Sequence, residues 1–237
     1  MSDHVLPRIA APLLLAAAIL LSFRLEQAPP PVTLAGGEPP TPSDAEIRSA
    51  YQRAIAPEAP GYDRGATRAP VTVVEFADFG CRYCAAFAAE TYPKLANEFV
   101  KPGLVRWRFV PFVLGMFANG GGAARAGVCA GEQGAVAFGR MADWLFTAQG
   151  EWQRAGDPAG EFRRLADVAG LDAARFASCY LGAASDTLIR AANDLADQLG
   201  VRATPTFFVN GRRVEGALPV EQFRTVLVDA LRQSRGH

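Results

Sequence analysis

Apolar residues run almost unbroken from residue 9 to residue 23, between Arg8 and Arg24. A core helix of that length would carry polar positions at helical spacing, so the run is expected to be an export signal or membrane anchor. A cleaved signal favours small residues at the cut, and Glu26 stands two positions before Ala28, which points to an uncleaved anchor over residues 8–25. About 20 apolar residues usually cross a bilayer, and Leu25 with a snorkelling Arg24 extends this shorter run towards that length. Prolines and glycines then dominate residues 28–42, the composition of an extended tether.

Beyond the tether the periodicity alternates. Ser43 followed by Glu46 predicts a capped helix to about Ile55, stopped by Pro57 and Pro60. The β-branched stretch at residues 71–76 predicts a buried strand, ended by Gly80 and Cys81. Phe87, Tyr92, Leu95 and Phe99 fall at helical spacing around Pro93, which predicts a kinked helix over residues 84–99. Leu104, Arg106 and Arg108 alternate with Val105, Trp107 and Phe109, the two-residue period of a half-buried strand. Residues 123–199 read as helical, and breaks at Gly150, Asp157-Pro158, Gly170-Leu-Asp172 and Gly182 predict about four helices. Asn210-Gly211 between residues 206–209 and 212–215 predicts a tight hairpin, and a last helix runs from Pro219 to about Gln233. The order is that of an α/β protein. Its expected divisions are a signal or anchor (1–27), a tether with a short helix (28–60), and a folded domain (61–234) with a helical insertion over about 115–199.

Composition narrows the function. Half of the 237 residues are apolar, and 24 Lys+Arg balance 24 Asp+Glu, so there is a core to bury and no basic field for a nucleic acid partner. The histidines are His4 and His237, at the two ends, which removes imidazole from a buried catalytic or metal site. Asn119-Gly-Gly-Gly122 lacks the Gly-Lys-Ser/Thr that completes a phosphate loop and reads as a helix lead-in.

The remaining candidate is the pair Cys81 and Cys84 in Glu75-Phe-Ala-Asp-Phe-Gly-Cys81-Arg-Tyr-Cys84. A cysteine at the seam of strand and helix faces unpaired N–H groups and the positive end of the helix dipole, which favour its thiolate. Cys81 is then the nucleophile and leaving group, and Cys84, one turn on, closes or opens the internal bond. Arg82 is expected to reinforce the depressed thiol pKa by its charge, with Tyr83 adding an aromatic contact. A plain structural bond between residues three apart would constrain little chain. Half a zinc site would require the distant Cys129 and Cys179 to converge on the same turn.

From about Gly61 to Leu231 the chain resembles the thioredoxin-fold disulfide oxidoreductases of the DsbA type. The resemblance rests on the stretch around the cysteine pair, on Ala123-Ala-Arg-Ala-Gly-Val-Cys-Ala-Gly-Glu-Gln-Gly134 with Trp144-Leu-Phe146, on the helical insertion, and on Leu199-Gly-Val-Arg-Ala-Thr-Pro-Thr-Phe-Phe-Val-Asn-Gly211. It implies a thioredoxin fold with an inserted helical subdomain and a cis peptide at Thr204-Pro205, leaving the Thr204 backbone free to pair with an extended substrate. It also implies that Glu75 is a buried acid that takes or passes the proton of Cys84. In an oxidising compartment Cys129 and Cys179 most simply form a structural disulfide, the alternative being two free buried thiols. The best-known oxidases of this type carry Pro-His between the cysteines; Arg82-Tyr83 stands here, so a histidine contribution to the thiolate is absent.

The expected activity is that of a protein disulfide oxidoreductase without cofactor or metal, foremost an oxidase. Its expected partners are thiols of exported proteins or peptides, a membrane redox partner that reoxidises or reduces it, and the membrane itself through residues 8–25. The expected place is the periplasm or extracytoplasmic side of the inner membrane. A reductase or isomerase of the same fold, and a non-enzymatic peptide-binding module, are the alternatives.

Overall fold

The computed structural model describes residues 42–235, so the expected anchor and nearly all of the tether lie outside the described residues. Among the described residues no helix is long and apolar enough to cross a membrane. The first element, α1 (Asp44–Ile55), begins as expected: Glu46 N–H donates to Ser43 Oγ at 3.4 Å, and Ser43 N–H donates back to the Glu46 carboxylate at 2.8 Å.

Strands β1 (Tyr62–Arg64), β2 (Val71–Ala77), β3 (Val105–Pro111), β4 (Thr206–Val209) and β5 (Arg212–Glu215) form one sheet in the order β1-β3-β2-β4-β5. β2 and β3 run parallel through a helical crossover, and β4 lies antiparallel on the other side of β2. β2 therefore sits at the centre, which is why its sequence is nearly all apolar. The β4–β5 turn places Asn210 at φ 45° and Gly211 at φ 87°, the left-handed pair that a two-residue hairpin needs.

One strand of the sheet carries no sequence signal, and one expectation needs correction. Tyr62–Arg64 carries no strand pattern, yet it forms the edge strand β1 against β3. The polar face of β3 does not look out to water. Arg108 is only 3% exposed, donating to Asp63 at 2.8 Å and to the Ala54 carbonyl at 3.1 Å; Arg106 donates to Asp63 at 2.8 Å and to the Ile55 carbonyl at 3.0 Å. The alternation is real, but its polar side is spent on Asp63 and on the orphan carbonyls at the end of α1.

Burial opposes ionisation of Asp63, yet hydrogen bonds from Arg108 and Arg106 hold its carboxyl below the ordinary range. A lowered carboxyl pKa adds stability that is complete above the unfolded value of ~3.9 and is lost as pH falls through the folded one. Asp63→Asn is expected to cost about 1–3 kcal/mol at pH 7 and much less at pH 3, as read by urea denaturation at both pH values.

The expected kinked helix starts earlier, at α2 (Arg82–Ala86), and passes through wide π turns at Phe87–Thr91 and Ala96–Val100 on either side of α3 (Tyr92–Leu95). Pro93 lacks the N–H that an α ladder requires, and the wide turns accommodate the gap. The insertion contains six helices rather than four: α4 (Gly120–Gly131), α5 (Ala135–Thr147), α6 (Gln149–Arg154), α7 (Pro158–Val168), α8 (Ala173–Leu181) and α9 (Ala184–Gln198). Gly150 lies inside α6, and the break falls at Ala148 instead. α4 and α8 are joined by a disulfide between Cys129 and Cys179, with Cα atoms 5.6 Å apart. The last helix, α10 (Val220–Ser234), packs Phe223 and Leu227 beneath the sheet with Phe87, Trp107 and Phe207. On the opposite face α1 and α9 cover Val74, Phe76 and Phe208.

Candidate active site

A single turn after β2 leads into the cysteine pair. Asp78 Oδ1 accepts from Gly80 N–H and Oδ2 accepts from Leu114 N–H, each at 2.8 Å, so one buried carboxylate shapes the turn and ties it to the loop after β3. From α6, Gln149 donates to the Phe79 carbonyl at 2.6 Å and Gln153 to the Gly80 carbonyl at 2.9 Å. Cys81 then occupies the N-cap of α2 with extended backbone (φ −79°, ψ 119°), and its carbonyl accepts from Ala85 N–H at 3.1 Å. Cys84 lies one turn inside the helix, fully buried, and both thiols are free.

The two sulfurs have opposed environments. The Cys84 thiol, hydrogen bonded to the Cys81 sulfur, does most to draw Cys81 down to about 5; burial opposes this, while Thr204 and the N–H groups of Cys84 and Tyr83 add to it. Burial, then the neighbouring Cys81, pushes the Cys84 thiol well above its ordinary value. Thr204 and Pro205 sit across from the pair with a cis peptide between them, and the Cys81 thiol donates to the Thr204 carbonyl at 3.3 Å. Arg82 is turned to Tyr83 rather than to the sulfur: its Nη2 donates to the Tyr83 hydroxyl at 2.7 Å and its guanidinium lies 4.7 Å from that ring centroid.

Beneath the pair, Glu75 occupies the centre of β2, opposite Phe109 on β3 and Phe207 on β4. Burial pushes its carboxyl up to about 7, against the Trp107 indole N–H, which donates to Oε2 at 2.7 Å, and the charge of Arg64. Cys129 and Cys179 are bonded to each other within the insertion, so the four cysteines do not converge on one metal.

Above Cys81 lies a groove of about 550 Å³, lined among others by Tyr83, Met116, Phe117 and Thr204. Met116 is 72% exposed and Tyr83 53%, an unusual amount of apolar side chain held at water beside a thiol. Sequence reasoning did not find Asp78, Met116, Gln149 or Gln153. Asp78 lies inside the quoted stretch, but nothing in its spacing marks it as the anchor of the turn, and the other three reach the site only through the folding of the insertion.

A thiolate-favouring cysteine at a helix start, a partner thiol held protonated behind it and a carbonyl aimed at the reactive sulfur make up the apparatus of thiol–disulfide exchange, the chemistry of the thioredoxin-fold oxidoreductases. The chain belongs to the thioredoxin family, whose sequence model, described as Thioredoxin, matches residues 59–229. Among solved structures, alpha-DsbA1 of Wolbachia pipientis superposes with a TM-score of 0.67 at 20% identity, over 76% of this chain and 94% of that one. Disulfide bond formation protein D of Bacillus subtilis is 25% identical over 181 residues, covering 71% of this chain and 76% of that protein. The Na(+)/H(+) antiporter NhaA 1 of Salinispora arenicola is 37% identical over 172 residues, 73% of this chain, and the match spans only 25% of that antiporter's length.

Proposed function

We propose that the chain is a disulfide oxidase of the cell envelope, held at the membrane by residues 8–25, that passes the Cys81–Cys84 disulfide to cysteines of exported proteins and is reoxidised by a membrane redox partner. The observation that carries this reading is the environment of Cys81, whose thiol is drawn down to about 5. A thiolate stabilised in the reduced form makes the disulfide the higher-energy state, so electrons flow into it from substrate thiols. The value falls between the ~7 of thioredoxin and the ~3.5 of DsbA.

In the forward reaction a substrate thiolate attacks Cys81. A bond forms between the two sulfurs, the Cys81–Cys84 bond breaks, and the electron pair leaves on Cys84, which takes a proton from Glu75. The second substrate thiolate then attacks the substrate sulfur of the mixed disulfide, releasing Cys81 as thiolate and the substrate as a disulfide; the substrate loses two electrons and the pair gains them. The Thr204 backbone beside cis-Pro205 holds the extended peptide, and the groove over Tyr83, Met116 and Phe117 takes its apolar flank.

Equilibration with glutathione tests the direction. A potential above about −200 mV is expected, and one near thioredoxin's −270 mV would show a reductase instead. Thiolate absorbance of the reduced protein should titrate near pH 5. Because folding lowers this thiol's pKa, the stability that its thiolate gives the reduced form is complete above the unfolded value of ~8.5 and is lost as pH falls through about 5. The reduced form should therefore gain on the oxidised one in denaturation measurements as pH rises across that window.

A further inference from the structure

Two hollows beside the buried acid share no lining residue with the groove over Cys81. Against Glu75 lies a cavity of about 20 Å³, also lined by Arg64, Tyr92, Trp107 and Asp143. A single water needs roughly 10–15 Å³ of such space. A second hollow of about 270 Å³ adjoins it, between the α2–α3 run and α5, with Ala85, Ala89, Pro93 and Thr147 on its walls. Arg64, Ala88, Tyr92, Asp143 and Phe146 line both spaces and so form the neck between them. None of the residues lining the outer hollow lines the groove over Cys81.

The polar groups of this neck are arranged around one cation. Arg64 reaches from β1 to Asp143 on α5 at 4.0 Å, with its guanidinium 5.0 Å from the centroid of Tyr92 and 5.9 Å from that of Phe138. Its Nε is buried without a hydrogen-bond partner, while Asp143 stands exposed on the outer side. The charged and titratable groups facing Glu75 are Arg64 from β1, Cys84 from α2, Tyr92 from α3 and Asp143 from α5; Trp107 of β3 supplies its N–H, and β4 and α10 contribute the apolar Phe207 and Phe223.

We propose that Arg64 and Asp143 are positioning residues of a proton path that connects Glu75 to solvent through the hollow beside α5. This rests on Glu75 exchanging its proton with Cys84. When Cys84 leaves as thiolate and takes that proton, the carboxylate left behind is reprotonated from water through the neck; reoxidation runs the proton outward by the same route. A peptide filling the groove over Cys81 leaves this route open, so exchange need not wait for substrate to depart. Arg64 favours the carboxylate and Asp143 draws that cation away, so the two set the protonation of Glu75 in opposite senses.

The test is the rate at which reduced glutathione opens the disulfide of the full-length protein, normalised to glutathione thiolate, across about pH 5–9. Arg64→Met is expected to move the midpoint alkaline by ~0.5–1 unit and Asp143→Asn to move it acid by a similar amount, with Arg64→Lys restoring the parent midpoint. Fixed midpoints in Arg64→Met and Asp143→Asn, or shifts in the same direction, would overturn the proton path while a flattened profile in Glu75→Gln left the acid's own role standing. An unchanged profile in Glu75→Gln would remove the reading on which the path rests.

Discussion

Cys81→Ser is expected to abolish exchange, lowering the rate with a dithiol peptide by more than about 10³-fold, whereas Cys84→Ser should arrest the reaction midway. Cys81 is the sulfur that reaches the groove, held at the helix start where its thiolate is favoured. Cys84 is fully buried behind it, with its thiol pKa pushed well up, so it can neither be reached first nor replace the lost nucleophile. With Cys84 removed, Cys81 still attacks a substrate disulfide, and no internal thiol resolves the product. Intact mass spectrometry after mixing with a disulfide peptide should show a stable one-to-one adduct for Cys84→Ser and none for Cys81→Ser. Full biological activity retained in Cys81→Ser would instead favour a non-enzymatic peptide-binding module.

The second large effect lies in stability. Cys129 and Cys179 are 50 residues apart in sequence. Closing a loop of that size removes denatured-state entropy worth about 4 kcal/mol at 25 °C by the chain-entropy relation. Replacing both with serine should lower Tm by about 8–16 °C, since each kcal/mol shifts a domain of ~150–250 residues by ~2–4 °C. Thiolate titration near Cys81 should be unmoved, because the bond joins α4 to α8 within the insertion. A fall in Tm of less than about 2 °C would mean that this bond contributes little to holding the insertion together.

How much of this was legible depended on whether a residue's task was local. The run 71–76 reads as a buried strand because it is central in the sheet, and Ser43 with Glu46 reads as a cap because both partners lie within one turn. β1 was not legible: Tyr62–Arg64 is too short for a period, and its place is fixed by Asp63 meeting two arginines from β3. The alternation in β3 gave the correct pleat and the wrong surroundings, since nothing local announces that α1 will cover Arg108. Gly150 shows the converse error. A glycine suggested a break, but α6 runs through it, and the turn at Ala148 carries neither glycine nor proline. At the site, the cysteine pair was evident from its motif, while the orientation of Arg82 was not: its charge sits beside the sulfur in sequence, but its guanidinium bonds Tyr83.

The two glutamines of α6 bind the insertion to the turn before Cys81 as if they were part of its backbone. Their amides occupy the carbonyls of Phe79 and Gly80, the two residues that lead into Cys81. The insertion is therefore not a detachable ornament on a thioredoxin core. A chimera exchanging this module with that of a relative would have to transplant residues 149–153 in register with residues 79–80, or the turn that leads into Cys81 would lose two of its fastenings. Lengthening the segment between α5 and α6 by a single residue would shift both amides at once, so that junction is expected to tolerate insertions poorly.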